Sequence, residues 1–259
     1  MLKQIKKATL AASLVVASMA ASATTGLPFT FDASSIGSNV NTGLTQFTGP
    51  YNEVIMVNPD SSFDATVLLD FTSFRRGSDI ARGTGLASDY GMYAIINING
   101  QLLEGGPDFK TGNWNGSIDL WIDRNFDTDS NLASSLVGLN NVVFGAGQTA
   151  DDDILFSSTI GSGQSNGDVD SASFSLGSDD VGLTAVGSTF FTAPDPFYNM
   201  LISFGNLEDF FAQVDFTNFT ELQDFSGEAN VRFVPEPSMI GLIGLGLIAM
   251  GFSARRNRK

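Results

Sequence analysis

The stretch Ser117-Ile118-Asp119-Leu120-Trp121-Ile122-Asp123 alternates with a period of two, placing Ile118, Leu120 and Ile122 on one face and Ser117, Asp119 and Trp121 on the other. That period belongs to a β-strand with one side against a core. Working outward, Phe63–Phe71 and Tyr90–Asn99 alternate in the same way. Shorter β-prone runs stand at Pro28–Phe31, Tyr51–Val57, Ile154–Ile160, Asp170–Leu176, Leu183–Phe191, Tyr198–Phe204, Phe210–Phe219 and Glu228–Val234. Clusters of Gly, Ser, Asn and Asp punctuate them, as turns require. The Asn99-Gly100 pair predicts a hairpin turn, Asn131–Leu139 a short helix, and Gly145–Gly167 a surface loop around one short strand.

Many short strands, 22 Phe and little helical periodicity predict an all-β fold, an antiparallel β-sandwich or jelly-roll-like domain. No internal repeat of fixed period is present, which argues against a solenoid or propeller. An N-terminal signal helix and a C-terminal transmembrane sorting helix are expected to flank this domain.

The flanks set the organisation. Residues 1–23 carry Lys3, Lys6 and Lys7, an apolar region from Ala8 to Ala20 and the small-x-small site Ala21-Ser22-Ala23, which together predict a secretory signal peptide recognised through Ala21 and Ala23 and cut before Thr24. Residues 24–233 form the exported β-rich domain. Residues 234–259 begin Val234-Pro235-Glu236-Pro237-Ser238, continue through an uncharged apolar run just long enough to span a bilayer as a helix, and end in Arg255, Arg256, Arg258 and Lys259. The basic end stays cytoplasmic, which leaves the two prolines outside in an extended backbone open to a processing enzyme.

This tail closely resembles the PEP-CTERM sorting signal of Gram-negative bacteria. The resemblance implies recognition by a membrane exosortase, with Val234, Pro235, Glu236, Pro237, Ser238, Arg255 and Arg256 as the sorting and processing residues. It further implies passage through the Sec export machinery, a transient membrane attachment through the C-terminal helix, and a cell-surface or extracellular-matrix destination.

Between signal and tail lie only 6 of the 13 basic residues but 27 of the 28 acidic ones, a formal charge of −21. Such a surface disfavours nucleic acid and anionic lipid as partners and favours divalent cations and cationic or neutral polymers. The chain has no Cys and no His. Disulfide staples, Ser-His-Asp catalysis and His-ligated zinc are thereby excluded. The domain is read as a non-enzyme.

Asp89-Tyr90-Gly91-Met92-Tyr93-Ala94, the 118–123 strand, and Thr192-Ala193-Pro194-Asp195-Pro196-Phe197-Tyr198 resemble the flocculation-associated PEP-CTERM proteins. That resemblance implies a role in holding cells together within a biofilm through exopolysaccharide. Two kinds of side chain are candidates for contact. Asp123, Asn125, Asp127 and Asp129 place oxygen at every second position, which suits Ca²⁺ or, more commonly, a solvated acidic turn; Thr128 and Ser134 stand where an EF-hand needs Gly and Glu. Asp151-Asp152-Asp153 is a second acidic cluster. Trp114 and Trp121 could stack on sugar rings, or pack in a core. A Ca²⁺-dependent carbohydrate-binding module is therefore the alternative to the matrix role, and a secreted glycoside hydrolase, which needs only two carboxylates, is the distant third. No cofactor beyond Ca²⁺ is expected.

Overall fold

A computed structural model describes residues 26–104, 110–132, 142–167, 172–195, 197–205 and 223–234. The signal peptide with Ala21 and Ala23, the tail from Pro235 onward and the Phe210–Phe219 strand lie outside the described residues. Among those described, no helix is long and apolar enough to cross a membrane.

Eight long strands form the body: β3 (Gln46–Val57), β4 (Ser62–Asp70), β7 (Gly91–Glu104), β8 (Lys110–Asp123), β11 (Asp153–Gly167), β12 (Ala172–Leu183), β14 (Asn199–Gly205) and β15 (Gln223–Val234). Each pairs antiparallel with the next, and β15 returns to pair with β3, Arg232 opposite Gln46 and Gln223 opposite Ile55. The expected all-β antiparallel class is what forms, and closure through β15 and β3 makes it an up-and-down barrel, in which no strand of the ring is left with a bare edge.

One end of the barrel has a floor. There β1 (Phe29–Asp32) lies between β2 (Val40–Leu44) and β13 (Phe191–Ala193). The aromatic residues concentrate at this end: Phe29 meets Phe233 at 5.0 Å and Phe47 at 5.8 Å edge-on, and Phe31 stacks on Phe190 at 5.5 Å. Edge-on pairs of this kind contribute about 0.5–1.5 kcal/mol each beyond burial. The short strands β5 (Ser73–Arg76) and β6 (Asp79–Ile80) extend the sheet beside the start of β3. A hairpin of β9 (Ser130–Leu132) and β10 (Val142–Phe144) lies against the outer wall, where Val142 and Phe144 pack on Leu68, Tyr93 and Ile95.

Four expectations are corrected. Asn99-Gly100 is no hairpin turn, because β7 runs on to Glu104 with a bulge at this point. Gly100 is there for space: a Cβ would lie 2.6 Å from the Phe63 ring and 3.1 Å from Trp114. The Leu183–Phe191 strand breaks after Leu183 into a single helical turn, α1 (Gly187–Phe190). Phe190 and the following Phe191 are both buried in the same core, which an extended chain could not arrange, since successive side chains point to opposite faces. Gly145–Gly167 is a turn followed by the 15-residue strand β11, whose polar side chains are tolerated because both its edges are paired. Asn131 and Leu132 belong to β9 rather than to a helix, their backbone held by Val143 and Val142 across the hairpin; the remainder of that segment lies outside the described residues.

Candidate functional site

The floor end of the barrel gathers acids from two chain segments. Asp123 closes β8, and Asp151 and Asp152 immediately precede β11, so the pairing of Asp153 with Ile122 brings the two acidic stretches side by side. Asp123, Asp151 and Asp152 each offer a carboxylate oxygen within 4.8 Å of the others. Asp123 is buried at 3 % exposure and accepts the backbone N–H groups of Thr128 at 2.9 Å and Asp127 at 3.3 Å. The chain after β8 is thereby folded back over its own last carboxylate.

Asp152 accepts the Tyr93 hydroxyl at 2.6 Å and the Thr128 hydroxyl at 3.1 Å. Burial raises its pKa, and the neighbouring Asp123 and Asp151 push the same way, while the two hydroxyls oppose them. Burial likewise raises the Tyr93 phenol, and its bond to Asp152 adds to the effect. Asn125 reaches across to Asp151 at 3.2 Å, and Arg124 pairs with Asp153 at 2.6 Å while lying 5.6 Å from the centre of the Phe190 ring. The result is three closely spaced carboxylates, each accepting at least one hydrogen bond, with the adjacent Arg124 paired to a fourth, Asp153.

Of the four residues proposed from spacing, Asp123 is in this cluster and Asn125 touches it, whereas Asp127 and Asp129 are exposed on the turn. Alternation along the loop does not reveal the partners, which come from the start of β11. The roles of Tyr93 and Thr128 as donors to Asp152 were not read from the sequence; strand pairing, which sets Tyr93 opposite Trp121 on the outer wall, is what brings Tyr93 to this site.

Trp114 is inside the barrel, its ring edge-on to Phe63 at 5.7 Å and pressed against Gly163, where a Cβ would lie 2.2 Å away. Trp121 is on the outer wall, half-buried, and parallel to Tyr93 within 3° at 6.1 Å. Its indole nitrogen has no hydrogen-bond partner among the described residues. Along the same wall runs a shallow groove of about 290 Å³ lined by Ser117, Asp119, Ser157, Thr159 and Gly182. In it Ser157 donates to Asp119 at 2.6 Å.

The tail decides the destination of this barrel. Residues 233–259 match the PEP-CTERM protein-sorting motif. The PEP-CTERM chain is thus an exosortase-targeted, exported protein bound for the cell surface or the extracellular space. Val234, the first of the proposed sorting residues, is the last residue of β15, so the PEP-CTERM motif begins where the barrel ends. No curated protein matches the chain. Among solved structures, the N-terminal domain of HtaA from Corynebacterium glutamicum aligns at 13% identity over 81% of this chain and 98% of that one, with a TM-score of 0.14, too low to carry an argument.

Proposed function

We propose that the exported barrel is a non-catalytic matrix protein that promotes cell aggregation, or flocculation, together with exopolysaccharide after Sec export and exosortase processing. The observation that carries this reading is the sorting motif at 233–259 following directly on a barrel whose surrounding chain is strongly acidic. The absence of His and Cys from the sequence removes the commonest hydrolytic machinery and is consistent with an adhesive role. The test is the aggregated fraction of host cells lacking this gene, complemented with the full chain or with one carrying Pro235→Ala, Glu236→Ala and Pro237→Ala. Flocs restored by the intact chain alone support the reading. Unchanged aggregation in the deletion strain removes it.

A second reading, Ca²⁺-dependent carbohydrate binding, is favoured by the convergence of Asp123, Asp151 and Asp152. Three carboxylates supply a hard cation with part of its oxygen shell, and the hydroxyl-lined groove beside Trp121 offers donors and acceptors suited to a glycan. Glycan arrays read with Ca²⁺ and with chelator distinguish the two readings: binding that chelator abolishes favours the second.

A further inference from the structure

Basic residues are scarce in the exported domain, and the fold gathers them. Arg232 stands opposite Gln46 and Gln46 opposite Arg75, a single row across β15, β3 and β5 at the floor end. The row faces outward, because the alternating Val231, Phe233, Phe47 and Phe74 are buried in the core. Arg76 follows in β5, and the exposed Arg82 lies just beyond β6, so four of the domain's six basic residues share one side of the floor. Arg75 donates to the Ser78 carbonyl at 2.9 Å and Arg76 to the Thr42 carbonyl at 3.0 Å. Those acceptors are neutral, and Arg75, Arg76 and Arg82 form no ion pair among the described residues, not even Arg76 with Asp79 opposite it in the register. Ile80, opposite Arg75, is 58 % exposed.

The acidic cluster is elsewhere. In the ring of eight strands β3 and β11 are four places apart in either direction, so Asp123, Asp151 and Asp152 lie across the floor from the arginines. Uncompensated positive charge therefore sits on the side where the chain leaves the barrel. Phe233 fixes that exit: its carbonyl accepts the Leu27 N–H at 2.9 Å, and its ring lies 4.5 Å from Phe197 and 5.0 Å from Phe29. Only Pro235, Glu236 and Pro237 then separate Val234 from Ser238, where the apolar run begins, a reach of at most about 14 Å. A headgroup layer is roughly 5–8 Å deep. With the tail in a bilayer, the exit of β15 is held within about 10 Å of the headgroup surface, close to one Debye length at physiological salt.

We propose that this side of the floor is the face by which the barrel docks on the bilayer that holds its tail, with Arg75, Arg76, Arg82 and Arg232 against anionic phospholipid headgroups and Ile80 at their apolar boundary. This inference rests on the tail's entry into the membrane and not on the flocculation reading. The formal charge of −21 opposes approach from solution; the tail overcomes this by making docking intramolecular, at an effective concentration on the order of millimolar.

The chain contains no Cys, so one introduced cysteine carries a fluorophore at a single place. The full chain labelled at Ile80→Cys is inserted into nanodiscs of phosphatidylcholine, alone or mixed with phosphatidylglycerol, and read by quenching from a headgroup nitroxide lipid. Quenching should be roughly threefold or more stronger in the anionic discs, and high salt should abolish the difference. A label at Leu103→Cys, 61 % exposed at the far end of β7, should report no difference. Arg75→Gln, Arg76→Gln and Arg82→Gln together should reduce quenching at position 80 to the level of the neutral discs, with circular dichroism confirming the fold. Should that variant fail to fold, the lipid and salt dependence with the arginines intact decides. Failure to enter the discs would remove the tail's insertion and the docking with it. Insertion with equal quenching in both discs, or a position-80 label shielded only by added polygalacturonate, an acidic polysaccharide, would overturn the lipid assignment while leaving the tail's insertion standing.

Discussion

The Tyr93 hydroxyl donates to Asp152 at 2.6 Å across 59 positions of sequence, tying the outer barrel wall to the acidic rim that precedes β11. Removing it leaves a partly buried carboxylate short of one donor. Tyr93→Phe should therefore lower stability by about 1–2 kcal/mol, read as a shift in the urea midpoint at constant slope. Asp152 should also titrate higher in the variant, because the lost bond favours its charged form. A midpoint identical to that of the unmodified protein would show that the bond contributes nothing net.

Acid should stabilise this protein through Glu53. Its folded-state pKa is raised from 4.5 to about 8 by burial, so the folded state holds a proton that the unfolded state has already released between those values. Stability from this group is complete below the unfolded value, falls as pH rises through that window and levels off above it. Glu53→Gln should flatten the slope and gain up to about 5 kcal/mol over the unmodified protein at pH 9. Urea titrations at intervals from pH 5 to 9 check the sign, and parallel curves for the two proteins would contradict it.

If Asp123, Asp151 and Asp152 hold Ca²⁺, adding the ion at a hundred times its dissociation constant should stabilise the fold by about 2.7 kcal/mol. Chelator should reverse this. The double substitution Asp151→Asn and Asp152→Asn should abolish the response without raising it elsewhere. A melting temperature indifferent to Ca²⁺ would leave the cluster as a hydrogen-bonded rim.

Gly163→Ala should be poorly tolerated, since its methyl would lie 2.2 Å from the Trp114 ring. Overpacking of this kind costs about 1–3 kcal/mol. Because Trp114 must shift, its fluorescence should change with the midpoint, whereas Gly182→Ala, whose Cβ meets nothing nearer than 3.4 Å, should leave fluorescence alone.

Alternation in 63–71, 90–99 and 117–123 was legible because period two follows from the pleat of a single strand and needs no partner. The sorting tail was legible for the same reason: charge, apolar length and the Pro-Glu-Pro boundary act locally. Glu53 was not legible as an inward residue. Its neighbours Val54 and Met56 are as apolar as Tyr51 and Ile55, so either face of β3 could have been the inner one until β4 and β15 closed on it.

What the amino-acid order determined by itself is the strand content, the acidic character and the address carried at the C-terminal end. Tertiary structure alone decided that β15 returns to β3 to close a barrel, that Gly100 serves close packing instead of a turn, and that Asp123 meets Asp151 and Asp152 instead of Asp127 and Asp129. The physical reason is range. Periodicity and turn chemistry act over a few residues, whereas strand pairing and the filling of a closed interior join residues dozens of positions apart, and those contacts choose among local conformations that the chain alone leaves equally open.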